Sequence, residues 1–91
     1  MVNRIAICDD VEVERFVLKR QLMVYFQTNG REAQIQEYES GESLLADIEE
    51  GYIWPDLIFL DIYMNGINGM ETARKIRLWD TSCHIIFVTT S

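Results

Sequence analysis

Three short, largely apolar runs constrain this chain most: Asn3 to Cys8, Leu57 to Leu60 and His84 to Val88. Each stops abruptly at polar residues: Asp9-Asp10, Asp61 and Thr89-Thr90-Ser91. Runs this short, without polar alternation, read as parallel strands buried in a sheet rather than as helices. The segments between them have helical spacing. Val11 to Thr28 contains neither Gly nor Pro, and Leu18, Leu22, Tyr25 and Phe26 recur on one side. Asn29-Gly30 closes that helix, with Gly30 as a left-handed cap. Val13, Phe16, Val17 and Val24 lie off the stripe, so the helix is expected to be covered on more than one side.

The remaining elements follow the same alternation. Ala33 to Glu39 is a weaker strand, with Ile35 set among Gln34, Gln36, Glu37 and Glu39, which suits a sheet edge. Ser40 is placed to cap a second helix that buries Leu44, Leu45 and Ile48 and stops at Gly51. Tyr52 to Pro55 form a turn. Ile62 to Asn68, with Asn65-Gly66 inside it, forms a loop. A third helix, about Gly69 to Leu78, is expected to turn Met70, Ala73 and Ile76 inward. The order β-α-β-α-β-α-β predicts an α/β, doubly wound parallel sheet with right-handed crossovers.

Composition narrows the function. A chain of 91 residues is one small domain, and 48 % hydrophobic with 25 % charged residues excludes a disordered one. No apolar run approaches a membrane span, and the opening residues lead straight into a strand, so no signal peptide is expected. The net charge of −7 argues against this segment gripping nucleic acid. Cys8 and Cys83 lack metal-type spacing; buried thiols in a reducing cytoplasm are expected, with a disulfide as the alternative.

In a parallel open sheet all strand carboxyl ends lie on one edge, where ligands bind. That edge therefore collects Asp9, Asp10, Asp61 and the Thr89 hydroxyl. Carboxylates held together raise one another's pKa or demand a cation, and hard oxygen donors with room for water suit Mg²⁺. A carboxylate beside Mg²⁺ is a competent nucleophile toward phosphorus. The residues thus point to phosphoryl transfer onto Asp61, with Asp9 and Asp10 holding Mg²⁺ and Thr89 contacting the phosphoryl group. Singly, each has an ordinary reading: Asp10 serves equally as a helix cap, and Asp61 as a turn residue. Other chemistries lack parts. His84, the single histidine, opens a strand on the opposite edge, and no P-loop, triad or zinc set is present.

With these residues in hand, the chain resembles the receiver domain of two-component response regulators. The resemblance rests on Ile-Ala-Ile-Cys-Asp9-Asp10, Asp56-Leu-Ile-Phe-Leu-Asp61-Ile-Tyr-Met64, Gly69-Met-Glu and Ile-Ile-Phe-Val-Thr89. The phrasing around Tyr38-Glu-Ser-Gly and Leu60-Asp-Ile-Tyr-Met looks most like bacterial regulators with a LytTR-type DNA-binding output. The resemblance implies a flavodoxin-like (CheY-like) fold with strand order 2-1-3-4 over the strands present. It makes Asp61 the phosphoacceptor from a sensor histidine kinase in a phosphorelay, forming an aspartyl phosphate. Asp10, Asp61 and the Tyr63 backbone carbonyl match direct Mg²⁺ ligands, and Asp9 the acid that acts through water. Thr89 matches the switch hydroxyl, and Tyr63 and Ser91 the positions that tune dephosphorylation.

The resemblance also marks departures. Asn65 stands where the family usually has Pro. Family members run on through a fourth helix, a fifth strand and a fifth helix, so residues 1–91 are expected to be an incomplete receiver domain. The family's phosphate-binding lysine lies in that further segment; Lys19 and Lys75, both in helices, do not match it. The fourth strand would be an exposed edge and the first helix would lack its usual neighbour, so self-association through either is expected. The leading reading is a cytoplasmic phosphoprotein, a signalling module rather than an enzyme, regulating transcription through an output domain that alone would contact DNA. The alternative is a receiver-like interaction or assembly domain that is never phosphorylated.

Overall fold

The computed structural model describes residues 2–89. Seven elements alternate: β1 (Val2–Cys8), α1 (Glu12–Thr28), β2 (Glu32–Tyr38), α2 (Gly41–Glu49), β3 (Leu57–Asp61), α3 (Gly69–Trp79) and β4 (His84–Val88). The strands form one sheet in the order β2-β1-β3-β4, every pair parallel. Register aligns the carboxyl ends: Cys8 lies opposite Tyr38 and Leu60, and Asp61 opposite Val88. The predicted order and topology are those found.

Alternation along each strand divides the core in two. Ile5 and Ile7 point to α1, where Leu18, Leu22 and Phe26 meet them beside Leu57 and Phe59. Ala6, Cys8, Ile58 and Leu60 point to the other face, under Leu44 and Leu45 of α2 and Ala73 and Ile76 of α3. Both central strands are therefore buried from both sides, which is why β1 and β3 read as continuous apolar runs. Each fully buried aliphatic side chain contributes about 1.5–3 kcal/mol. Ser40 caps α2 by accepting the Ser43 N–H at 3.0 Å, and Asn68 caps α3 by accepting the Glu71 N–H at 2.9 Å. Gly51, at φ 77°, ends α2: the Tyr52 N–H reaches the Asp47 carbonyl at 2.8 Å and the Gly51 N–H the Ile48 carbonyl at 3.1 Å.

Two expectations need correction. Tyr25 is exposed, edge-on to the buried Phe26, because the α1 stripe facing the sheet is narrower than its apolar surface. Met70 is exposed and Thr72 is buried in its stead, its hydroxyl donating to the Asn68 carbonyl at 2.8 Å. β4 is the exposed edge strand expected from the strand order, with Ile86 and Phe87 exposed. One helix covers the Ile86 face, and Val13, Phe16, Val17 and Val24 of α1 all remain exposed. Cys8 and Cys83 are buried free thiols, so the disulfide alternative falls. Among the described residues no helix is long and apolar enough to cross a membrane.

Candidate functional site

Asp9 follows β1 directly and Asp61 is the last residue of β3, so pairing of these central strands sets the two carboxyls side by side. Asp10 is one residue further on. One carboxylate oxygen from each of Asp9, Asp10 and Asp61 lies within 4.8 Å of the other two. Asp9 and Asp61 are buried, at 5 % and 1 % exposure, and Asp10 is half-buried. Thr89 follows β4 at the same edge and is exposed. Tyr63 lies in the β3–α3 loop with its ring exposed, and its N–H donates to Asp61 Oδ1 at 3.2 Å. Ser91 lies outside the described residues.

Burial is the largest influence on Asp61 and pushes its carboxyl above the usual carboxylate range. The Tyr63 N–H opposes this, while the neighbouring charges of Asp9 and Asp10 add to it. Beneath the site, burial first and Asp9 second push the Cys8 thiol up to about 12, so it stays protonated and inert. Its Sγ rests 3.7 Å from Met64 Sδ.

Asp10 does not cap α1; Asp9 closes a turn just ahead of the helix. Asp9 Oδ1 accepts the Val11 N–H at 2.9 Å, and Val11, at the N-cap position, makes no side-chain cap bond. Asp10 instead accepts the Asn65 N–H on Oδ2 at 3.2 Å. Proline at position 65 could not make that bond, having no N–H. Two further residues shape the site without having been legible in the sequence. The Arg15 guanidinium donates to the Asp9 carbonyl at 2.7 Å and pairs with Glu37 at 3.3 Å, tying α1 to the ends of β1 and β2. The Glu42 carboxylate accepts the Ile67 N–H at 3.3 Å and so holds the β3–α3 loop from α2. Gly69 completes the arrangement. A Cβ there would sit 2.8 Å from Ile62 Cα and closer still to the Asp61 carbonyl oxygen, so α3 can start this near β3 only from a glycine.

Clustered carboxylates, one of them fully buried, are a hard, anionic donor set. Neutralising them calls for a proton or a small divalent cation, and the oxygen chemistry fits Mg²⁺. A parallel α/β sheet with this acidic edge defines a class of signalling module, and the comparisons agree. The response regulator receiver domain family matches residues 5–91, and the chain belongs to it. The sensory transduction protein LytT of Oceanobacillus iheyensis is 49 % identical over 53 residues, covering 56 % of this chain and 21 % of that protein. The response regulator TrrA of Thermotoga maritima, solved in complex with Mg²⁺-BeF, is 35 % identical with a TM-score of 0.80. That match covers 98 % of this chain and 70 % of TrrA. The structure of the histidine kinase ThkA in complex with TrrA matches at 35 % identity and a TM-score of 0.72, over 97 % of this chain and 69 % of that one. The chain thus spans about a fifth of the curated relative's length.

Proposed function

We propose that Asp61 accepts a phosphoryl group from a phosphohistidine of a sensor kinase, with Mg²⁺ held by Asp9, Asp10, Asp61 and the Tyr63 carbonyl. The convergence of three carboxylates within 4.8 Å around a buried Asp61 carries this reading. A carboxylate oxygen of Asp61 forms the new P–O bond as the P–N bond breaks, and the imidazole leaves with that electron pair and takes a proton from water. Mg²⁺, when bound, offsets charge on the carboxylates and on the incoming phosphoryl oxygens. The Thr89 hydroxyl donates to one of those oxygens. Tyr63, in the loop that follows the acceptor, governs access of hydrolytic water, and Ser91 is assigned the second tuning position by its match to the family alone. The added charge then biases an output domain that regulates transcription. Buried free thiols at Cys8 and Cys83 suit a bacterial cytoplasm.

The test is intact mass after incubation with acetyl phosphate and Mg²⁺. One phosphoryl adduct is expected, absent in Asp61→Asn and in EDTA. No adduct on the parent chain, or one that survives Asp61→Asn, overturns the reading and leaves the unphosphorylated assembly domain in its place.

The same fold supports self-association of this chain. β4 offers an unpaired edge, with Ile86 and Phe87 45 % and 39 % exposed, and α1 adds the exposed Val13, Phe16, Val17 and Val24. Light scattering at micromolar concentration is expected to show species larger than one chain. A monodisperse monomer there defeats this part of the proposal.

A further inference from the structure

A second candidate site lies on the opposite edge of the sheet, far from the carboxylates. The carboxyl ends of α2 and α3 meet there around a cavity of about 530 Å³, walled by Trp54, Pro55, Trp79 and Ile48, with Glu49 and Asp80 also lining it. Trp54 is 69 % and Trp79 49 % exposed, although large aromatic rings without a partner are poorly placed on a soluble surface.

The electrostatics at the end of α2 run against helix stability. Helix carboxyl ends carry partial negative charge and favour Lys or Arg in the last turn. α2 has none there; it ends on Glu49 and is followed by Glu50. α3 ends at Trp79 and is followed by Asp80, whose Oδ1 accepts the Ser82 N–H and hydroxyl at 2.7 Å each and the Cys83 N–H at 3.2 Å. These bonds hold its carboxyl below the usual carboxylate range, so it stays charged. Arg77, in the last turn of α3, donates to the Cys83 carbonyl at 2.6 Å and to the Asp80 carbonyl at 3.3 Å, so α3 has a cation at its end where α2 has none. No lysine or arginine lines the cavity. Local choices that oppose the fold's own stability mark functional surfaces.

We propose that this Trp54–Trp79 cavity, rimmed by Glu49 and Asp80, docks an arginine side chain from a basic segment of a partner protein. A guanidinium matches every feature. Its flat face stacks on indole, its edge donates to carboxylates, and its apolar stem suits the Ile48 and Pro55 walls. The carboxyl end of α2, which has no basic residue in its last turn, attracts its charge. Nucleic acid is excluded by the same acids, which repel phosphate.

The experiment has a built-in reporter, because both tryptophans of the chain line this cavity. Tryptophan emission of the whole chain is followed while N-acetyl-Arg-Arg-amide is added, with N-acetyl-Gln-Gln-amide as the uncharged control. A saturable change with the arginine peptide alone is expected. Glu49→Lys with Glu50→Lys should weaken it by roughly tenfold or more, while leaving the melting temperature unchanged or higher, since lysine suits a helix carboxyl end. Trp54→Leu, at an exposed position, should weaken it as well. Asp61→Asn should leave the titration unchanged, separating this site from the phosphoacceptor. No saturable change, an equal response to the glutamine peptide, or undiminished binding after the charge reversal overturns the proposal. A change in emission on dilution without peptide also overturns it, because a second copy of the chain then fills the cavity.

Discussion

Asp61→Asn is expected to raise the melting temperature of the metal-free chain at neutral pH while abolishing the adduct that defines the proposed function. Asp61 is 1 % exposed and shares its corner with Asp9 and Asp10, so its negative charge is an unfavourable feature of the folded state. Asparagine removes the charge yet keeps an Oδ1 to accept the Tyr63 N–H. The pH dependence follows from the raised carboxyl. The folded chain keeps the Asp61 proton to a higher pH than the unfolded chain, where the ordinary value is 3.8. The parent therefore loses stability as pH rises from 3.8 through the raised folded value, and the loss persists at pH 7. The variant escapes it. Relieving about 1 kcal/mol, the scale of one uncompensated buried polar group, corresponds to roughly 4–8 °C in a domain this small. Melting curves in EDTA should show the gap between variant and parent closing as pH falls toward 3.8. With Mg²⁺ present the parent should gain more than the variant. A variant that melts below the parent at pH 7, or a gap indifferent to pH, contradicts this account of the site.

Gly69→Ala acts in the opposite direction. The first residue of α3 sits against the Asp61 carbonyl and Ile62 Cα, so the new methyl group meets backbone rather than a side chain that can swing away. Either α3 or the end of β3 must move, and overpacking of this kind costs about 1–3 kcal/mol. The melting temperature should fall by roughly 4–20 °C. Gly30→Ala makes a useful comparison. Gly30 has φ 65° but open space around it, so alanine there brings conformational strain alone. Thermal unfolding should rank Gly69→Ala as the more damaging, and Mg²⁺ affinity should fall only in Gly69→Ala, because only there is Asp61 displaced. Equal loss in both variants contradicts the close-approach argument.

The carboxylate cluster was legible in the sequence for a topological reason. Parallel strands end on one edge, so Asp9, Asp10 and Asp61 had to meet once β1 and β3 were recognised as neighbours. Arg15, Glu42 and Asn65 were not legible. Their roles depend on how a helix or loop turns after the strand ends, and a charged or amide residue in a helix or loop carries no mark of that. The division of labour between Asp9 and Asp10 was hidden for the same reason, since adjacent acids look alike until one of them bonds Val11. Tyr25 and Met70 were misplaced because apolar character at helical spacing shows which faces can be buried, not which face has a neighbour. β4 illustrates the point on a larger scale. Its run is as apolar as a central strand's, and its edge position follows from the expected sheet order rather than from its own residues.

The helix that begins against Asp61 also ends at the tryptophan cavity. α3 has 11 residues, a rod about 16 Å long at 1.5 Å rise per residue, with Gly69 at one tip and Trp79 at the other. It makes three turns without a proline to kink it. Its start is stopped by the β3 backbone, and its finish forms one wall of a groove. The acidic edge and the tryptophan cavity thus share one structural element, although they lie at opposite edges of the sheet.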